Sequence, residues 1–249
     1  MMAHSANPAS RRAGGPETPE PRSEGPAGAD PEKRRRILEA AVRTFGHRGF
    51  HDAKIADIAA AARVAEGTVY LYFRNKEDLL GTVFDETMDD LLARGREIAS
   101  GPASAAERLT GLADLHLRVL GSDRDLASLF QIELRRSARL MERVIRVKLV
   151  DYFRLLGGVV KEGIASGEFR ADLDSRLAVR ILFGAADEIL SEWLLGGEAE
   201  PIANARKLVG TLLHGFSAGN GASRARLAGP PPSAAAKRPS RAPQRSKKA

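Results

Sequence analysis

From residue 31 to about residue 217 the apolar residues recur at every third or fourth position, and strand-like alternating runs are absent. That is the repeat of helices with one buried stripe, about 3.6 residues per turn, whereas a half-buried strand repeats every two. The expected fold class is all-α. Ile37, Leu38, Ala41, Val42 and Phe45 form the first stripe, entered through Asp30-Pro31, an N-cap followed by proline at the first helical position. The Gly46–Gly49 stretch ends it. Short helices are expected over about 55–62 and 67–73, with a turn at 63–65 between them. Asn75 is placed to cap a long helix carrying Leu79, Leu80, Val83, Phe84, Met88, Leu91 and Leu92, broken at Gly101-Pro102. Further helices are expected over about 105–120, 123–137, 139–166, 174–195 and 201–217.

The flanks of this helical region cannot make a core. Residues 1–30 are rich in Ala, Pro, Gly, Ser and Glu, and 219–249 in Lys, Arg, Pro and Ala, so both are expected to be disordered tails. The formal net charge of +7 belongs to one end: residues 217–249 hold eight Lys/Arg and no acid, while residues 32–216 hold 28 of each sign. No apolar run reaches the roughly 18 residues of a membrane span, and the first residues lack the apolar region of a signal peptide. The chain has no cysteine, which excludes disulfides and thiolate metal sites and fits a cytoplasmic location.

Residues 31–80 then read as three helices leading into a fourth, and 81–218 as a larger helical body. Two short helices joined by a tight turn, with small Ala59 at their crossing and Ile55, Ile58, Val64 and Val69 pointing inward, describe a helix-turn-helix. The second short helix is the one presented to the major groove of double-stranded DNA. Its N-terminal N–H groups suit a phosphate. Glu66 and Gly67 lie at its tip, where glycine permits close approach. The Thr68 hydroxyl is placed to donate to a phosphate oxygen. Tyr70 and Tyr72 are stiff groups with a polar end, able to pack on sugar and bond phosphate, or alternatively to be half-buried packing residues with wet tips. Lys76 adds a charged contact, and Phe73 turns inward.

The stretch "IADIAAAARVAEG" followed by "TVYLYFRNKEDLL" (68–80) resembles the helix-turn-helix signature of the TetR family of bacterial transcription regulators, T-[VL]-Y-x-[YH]-F-x-x-K-[ED]-x-L, at every fixed position. The resemblance covers about 32–216. It implies a homodimer on a palindromic operator, a small-molecule site in the C-terminal body, and DNA contacts at Lys54, Thr68, Tyr70, Tyr72 and Lys76. There are two departures. Arg63 stands where the family usually has glycine in the turn, so it is expected to take a left-handed conformation at a cost of about 1 kcal/mol. Ala53 replaces a common hydroxyl residue, a phosphate contact that Lys54 is placed to supply.

Further along, "QIELRRS" (131–137), "VVKEGIASGEF" (159–169) and "DSRLAVRILFGAADEILSEWLL" (174–195) resemble the acyl-CoA-responsive repressors of fatty acid degradation within that family. The implied effector is a long-chain acyl-CoA, with no cofactor. Phe130, Leu134, Phe153, Phe183 and Trp193 are candidate tunnel wall, with Leu156, Val160 and Ile189. Arg135, Arg136, Arg139 and Arg143 are candidate phosphate contacts. The plainer alternative is that the apolar residues are core and the arginines a solvated face paired with Glu133 and Glu142. Asp187 and Glu188, inside an apolar helix, are expected to pair with an arginine or enter the pocket. The stripe Leu177, Ile181, Leu182, Ile189 and Trp193, with Gly184 and the 201–217 helix, is expected to form a four-helix dimer interface.

Other classes fare worse. His47 and His51 are four apart, but Gly49 interrupts them and no third metal ligand is near. There is no nucleophile elbow, P-loop or HExxH, so no enzyme is expected. An architectural DNA-compacting protein would explain the basic tail but not a large apolar body. An efflux-type regulator of another apolar ligand is the nearer alternative.

Overall fold

The computed structural model describes residues 30–136, 148–196 and 201–216. The first helix, α1 (Pro31–Arg48), begins as the sequence predicts: the Asp30 carboxylate accepts from the Glu32 and Lys33 N–H groups. Next come α2 (Ile55–Ala62) and α3 (Glu66–Tyr72), and Asn75 caps α4 (Lys76–Ala99) by accepting from Asp78 N–H. Arg63 ends α2 at φ 57°, ψ 49°, the expected left-handed turn. Ile37, Phe45, Ile58, Val69, Phe73 and Leu80 are buried together, which locks the first three helices onto α4.

The rest of the chain wraps one central helix, α5 (Ala105–Gly121), which packs against α4 and every later long helix. Ser104 and Glu107 start it with a reciprocal capping box. The Glu168 carboxylate adds a second, long-range cap, accepting from Ala105 and Ala106 N–H at 2.8 Å each. Close by, Gly163 lets α8 (Val150–Ala165) come against Phe169: a β-carbon there would lie 2.4 Å from that ring. Then α9 (Ser175–Leu194) and α10 (Pro201–Phe216) complete the body.

The helix expected over 123–137 is not uniform. It starts as α6 (Arg124–Ser128), widens into a π-helical turn (Leu129–Glu133), and ends as α7 (Leu134–Arg136). The extra residue of a π turn shifts which side chains face inward, so Phe130, Gln131, Glu133 and Leu134 are all buried. Of the helix expected over 139–166, the portion from 148 is described. Arg139, Arg143 and Glu142 lie outside the described residues, as do the two tails. No described helix is long and apolar enough to cross a membrane.

Candidate DNA-reading and effector sites

Side chains on a helix turn about 100° per residue, so two residues apart stand on opposite sides. Tyr70 and Tyr72 therefore cannot both face DNA. Tyr70 is 52% exposed and Leu71 62%, whereas Tyr72 is buried. The Tyr72 hydroxyl accepts from Asp30 N–H at 3.1 Å and donates to the Asp30 carbonyl at 3.3 Å, tying α3 to the start of α1. The expected Tyr72 contact is thus corrected to a structural one, with Val69, three residues back, on the same inward face.

Lys76 has a structural role as well. Its Nζ donates to the His51 and Ala53 carbonyls at 3.0 Å each and sits 4.6 Å from the centre of the Phe50 ring. It fixes the loop between α1 and α2. Lys54, Glu66 and Gly67 are exposed and Thr68 half-buried, so these four share the open face with Tyr70. Nothing lies within 4 Å of where a Gly67 β-carbon would stand. In the sequence Leu71 looks like one more core residue, but the structure exposes it on the reading helix, where a leucine is suited to a thymine methyl group.

These positions separate on mutation. Tyr70→Ala should weaken operator binding by roughly tenfold, one good base or phosphate contact, with an unchanged melting temperature. Lys76→Met should instead lower folding stability by about 1 kcal/mol, the worth of hydrogen bonds to partly exposed loop carbonyls. Thermal melts and operator titrations decide it: an unchanged melt for Lys76→Met, with weakened operator binding, would return Lys76 to a phosphate role.

In the body, a cavity of about 110 Å³ lies between α4, α5, the π turn, α8 and α9. Met88, Leu91, Leu120, Phe130, Leu134, Leu149 and Phe183 form its apolar wall. Its polar side is a connected network. The Asp187 carboxylate accepts from Arg135 and, at 2.5 Å, from Gln131 Nε2; Ser191 Oγ donates to Gln131 Oε1 at 3.3 Å. Phe130, Leu134, Arg135, Phe183 and Asp187 all line this cavity, and the other candidates lie elsewhere. Phe153 stacks edge-on against Phe183 at 5.0 Å, behind the lining. Arg136 pairs with Glu133 at 3.7 Å. Trp193 sits beneath Arg124, 4.8 Å from its guanidinium, where Arg124 also donates to the Trp193 carbonyl at 2.7 Å. Trp193 joins α6 to the end of α9. His47 lies 3.5 Å from the Asp125 carboxylate, and the His51 ring lies edge-on to Phe50.

The most unusual lining group is His116, which periodicity marks only as one more α5 position. It is 4% exposed, and neither ring nitrogen has a hydrogen-bond partner. Tyr152 stacks on it at 5.7 Å and Phe183 meets it edge-on at 5.6 Å. Burial lowers its pKa to about 4, against a smaller opposing pull from Asp187, so the ring is neutral at pH 7. Each unpaired buried group costs about 1–3 kcal/mol. The sign of the pH effect follows. Below about 6.5 the unfolded histidine takes a proton that the folded one refuses until near pH 4. Stability should therefore fall, by up to roughly 3 kcal/mol, as pH drops through that window. His116→Phe should flatten this part of the profile in denaturant titrations; an unaltered profile would place the titration elsewhere.

A three-helix reading head with an exposed recognition helix, set on a helical body with an internal cavity, defines a helix-turn-helix transcription regulator. The sequence bears this out in two segments. Residues 37–83 match the family described as bacterial regulatory proteins, tetR family, and residues 84–215 match the YsiA-like protein C-terminal region. The chain belongs to the TetR family. It is 38% identical over 162 residues to the fatty acid metabolism regulator protein of Bacillus subtilis, covering 65% of this chain and 84% of that one. It is 26% identical to the transcriptional repressor KstR2 of Rhodococcus jostii, covering 74% of this chain and 91% of that one. Among solved structures it resembles the regulator FadR from Bacillus subtilis in complex with stearoyl-CoA, with a TM-score of 0.68 and 35% identity over 73% of this chain and 98% of that one.

Proposed function

We propose that this protein is a dimeric repressor of fatty acid degradation genes, released from a palindromic operator by long-chain acyl-CoA. The observation that carries this reading is the cavity: an apolar pocket whose rim holds a guanidinium, Arg135, within a carboxylate network. An acyl chain fits the wall, and the polar arm of CoA competes with Asp187 for Arg135. The likeness to a relative crystallised with stearoyl-CoA supports the same ligand class. In this reading residues 31–80 read DNA, with Lys54, Glu66, Gly67, Thr68 and Tyr70 at the interface, and residues 81–218 bind effector and partner. Leu177 and Ile181, exposed on α9 beside the open surface at Gly184, supply the apolar stripe for pairing with a second copy.

Coupling needs an element that feels both sites. The π turn carries Phe130, Gln131 and Glu133; Phe130 meets Phe84 of α4 edge-on at 4.8 Å. The same turn continues from α6, which rests on α1. A ligand that spreads the cavity shifts α4 and α6 together, and with them the spacing of two heads that must match major grooves about 34 Å apart. Footprinting tests the whole reading: a discrete protected palindrome that disappears on adding palmitoyl-CoA, and persists with CoA alone, is expected. Uniform protection, or no release, would overturn it.

A further inference from the structure

We infer that His116 recognises the thioester carbonyl of the effector, and so makes the cavity selective for acyl-CoA over molecules with the same chain but no carbonyl. The inference rests on the acyl-CoA reading above. It starts from a mismatch within the cavity. The wall is apolar, yet a fully buried imidazole stands in it with both nitrogens unpartnered. Buried polar groups are ordinarily paired, and an exception calls for a reason. A pure hydrocarbon ligand would leave both nitrogens bare, and leucine or phenylalanine would serve it better.

The position of the ring selects the atom. His116 and the polar rim formed by Arg135, Asp187 and Gln131 line the same cavity, and the Asp187 charge acts on the imidazole. A ligand entering chain-first, with the amides of its pantetheine arm at this rim and its phosphates further out, carries the carbonyl that joins chain to thiol as the last polar group before the hydrocarbon, and so the one nearest His116. A neutral imidazole has one N–H to donate and no charge to be neutralised, which suits a carbonyl oxygen. The stacked Tyr152 and edge-on Phe183 hold the ring in place, so the bond forms without ordering a free side chain.

The test compares dodecanoyl-CoA with S-dodecyl-CoA, the thioether in which CH₂ replaces C=O, by calorimetric titration of the full-length protein. Burying a carbonyl without a partner is unfavourable, so a site lacking a donor prefers the thioether. The expected result is at least a tenfold preference for the thioester. In His116→Phe the preference should vanish or reverse, and His116→Asn, which keeps an N–H donor, should restore part of it. Equal binding of thioester and thioether by the unaltered protein would overturn the role of His116 and leave the acyl-CoA reading standing. Failure of both to bind would overturn the two together.

Discussion

Octanoyl-, dodecanoyl- and palmitoyl-CoA should release the operator at steeply decreasing concentrations, with the midpoint falling roughly 200-fold from eight to twelve carbons. The figure comes from about 0.8 kcal/mol for each CH₂ moved from water into an apolar site, or about fourfold per carbon. The slope should flatten where the tunnel is full. As it stands the cavity is about 110 Å³, and a smaller void lined by Leu156, Leu182 and Ala186 lies beyond the rings of His116, Tyr152 and Phe183. Longer chains gain further contact only by parting the helices that line both spaces, with the His116 ring still held by its neighbours, until the two join. That parting gives the ligand different affinities for the open and closed forms, without which it would shift no equilibrium. Operator titrations monitored by fluorescence anisotropy measure the series. Midpoints independent of chain length, or equal to that of free CoA, would show that no acyl tunnel operates here.

Gly46→Leu should reduce operator affinity at least tenfold in the absence of any ligand and blunt the response to acyl-CoA. Here α1 of the reading head touches α6 of the body so closely that a β-carbon on Gly46 would lie 2.4 Å from the Asp125 β-carbon and 2.6 Å from its α-carbon. The obstacle includes backbone, which cannot swing aside. Asp125 is further held by His47 at 3.5 Å, and burial raises its carboxyl pKa, with His47 opposing. A leucine would force α1 and α6 apart, at the 1–3 kcal/mol typical of overpacking, and would set the head at a new angle. Circular dichroism separates misfolding from misplacement, since only the joint should change. Native operator affinity with a full ligand response would mean that α4 alone carries the signal.

The helical period, the Asp30-Pro31 and Asn75 caps and the helix-turn-helix were all legible in the chain, because each depends on residues within a few positions of one another, while the left-handed turn at Arg63 was implied by the family resemblance. A separation of two on an α-helix sets Tyr70 and Tyr72 about 200° apart, yet the resemblance to the family assigned both to DNA. The roles of Lys76 and Trp193 were not legible. Whether a lysine reaches a phosphate or two loop carbonyls 23 and 25 residues back depends on where the α1–α2 loop comes to rest. Likewise Arg124 captures Trp193 only because α6 passes the end of α9, 69 residues on. The π turn, the carboxylate network at Asp187 and the unpartnered His116 belong to the same class. Local order follows from the chain's own stereochemistry. The meeting of side chains from four helices around one cavity follows from packing, and only the tertiary structure decides which of many apolar stripes becomes core and which becomes a binding wall.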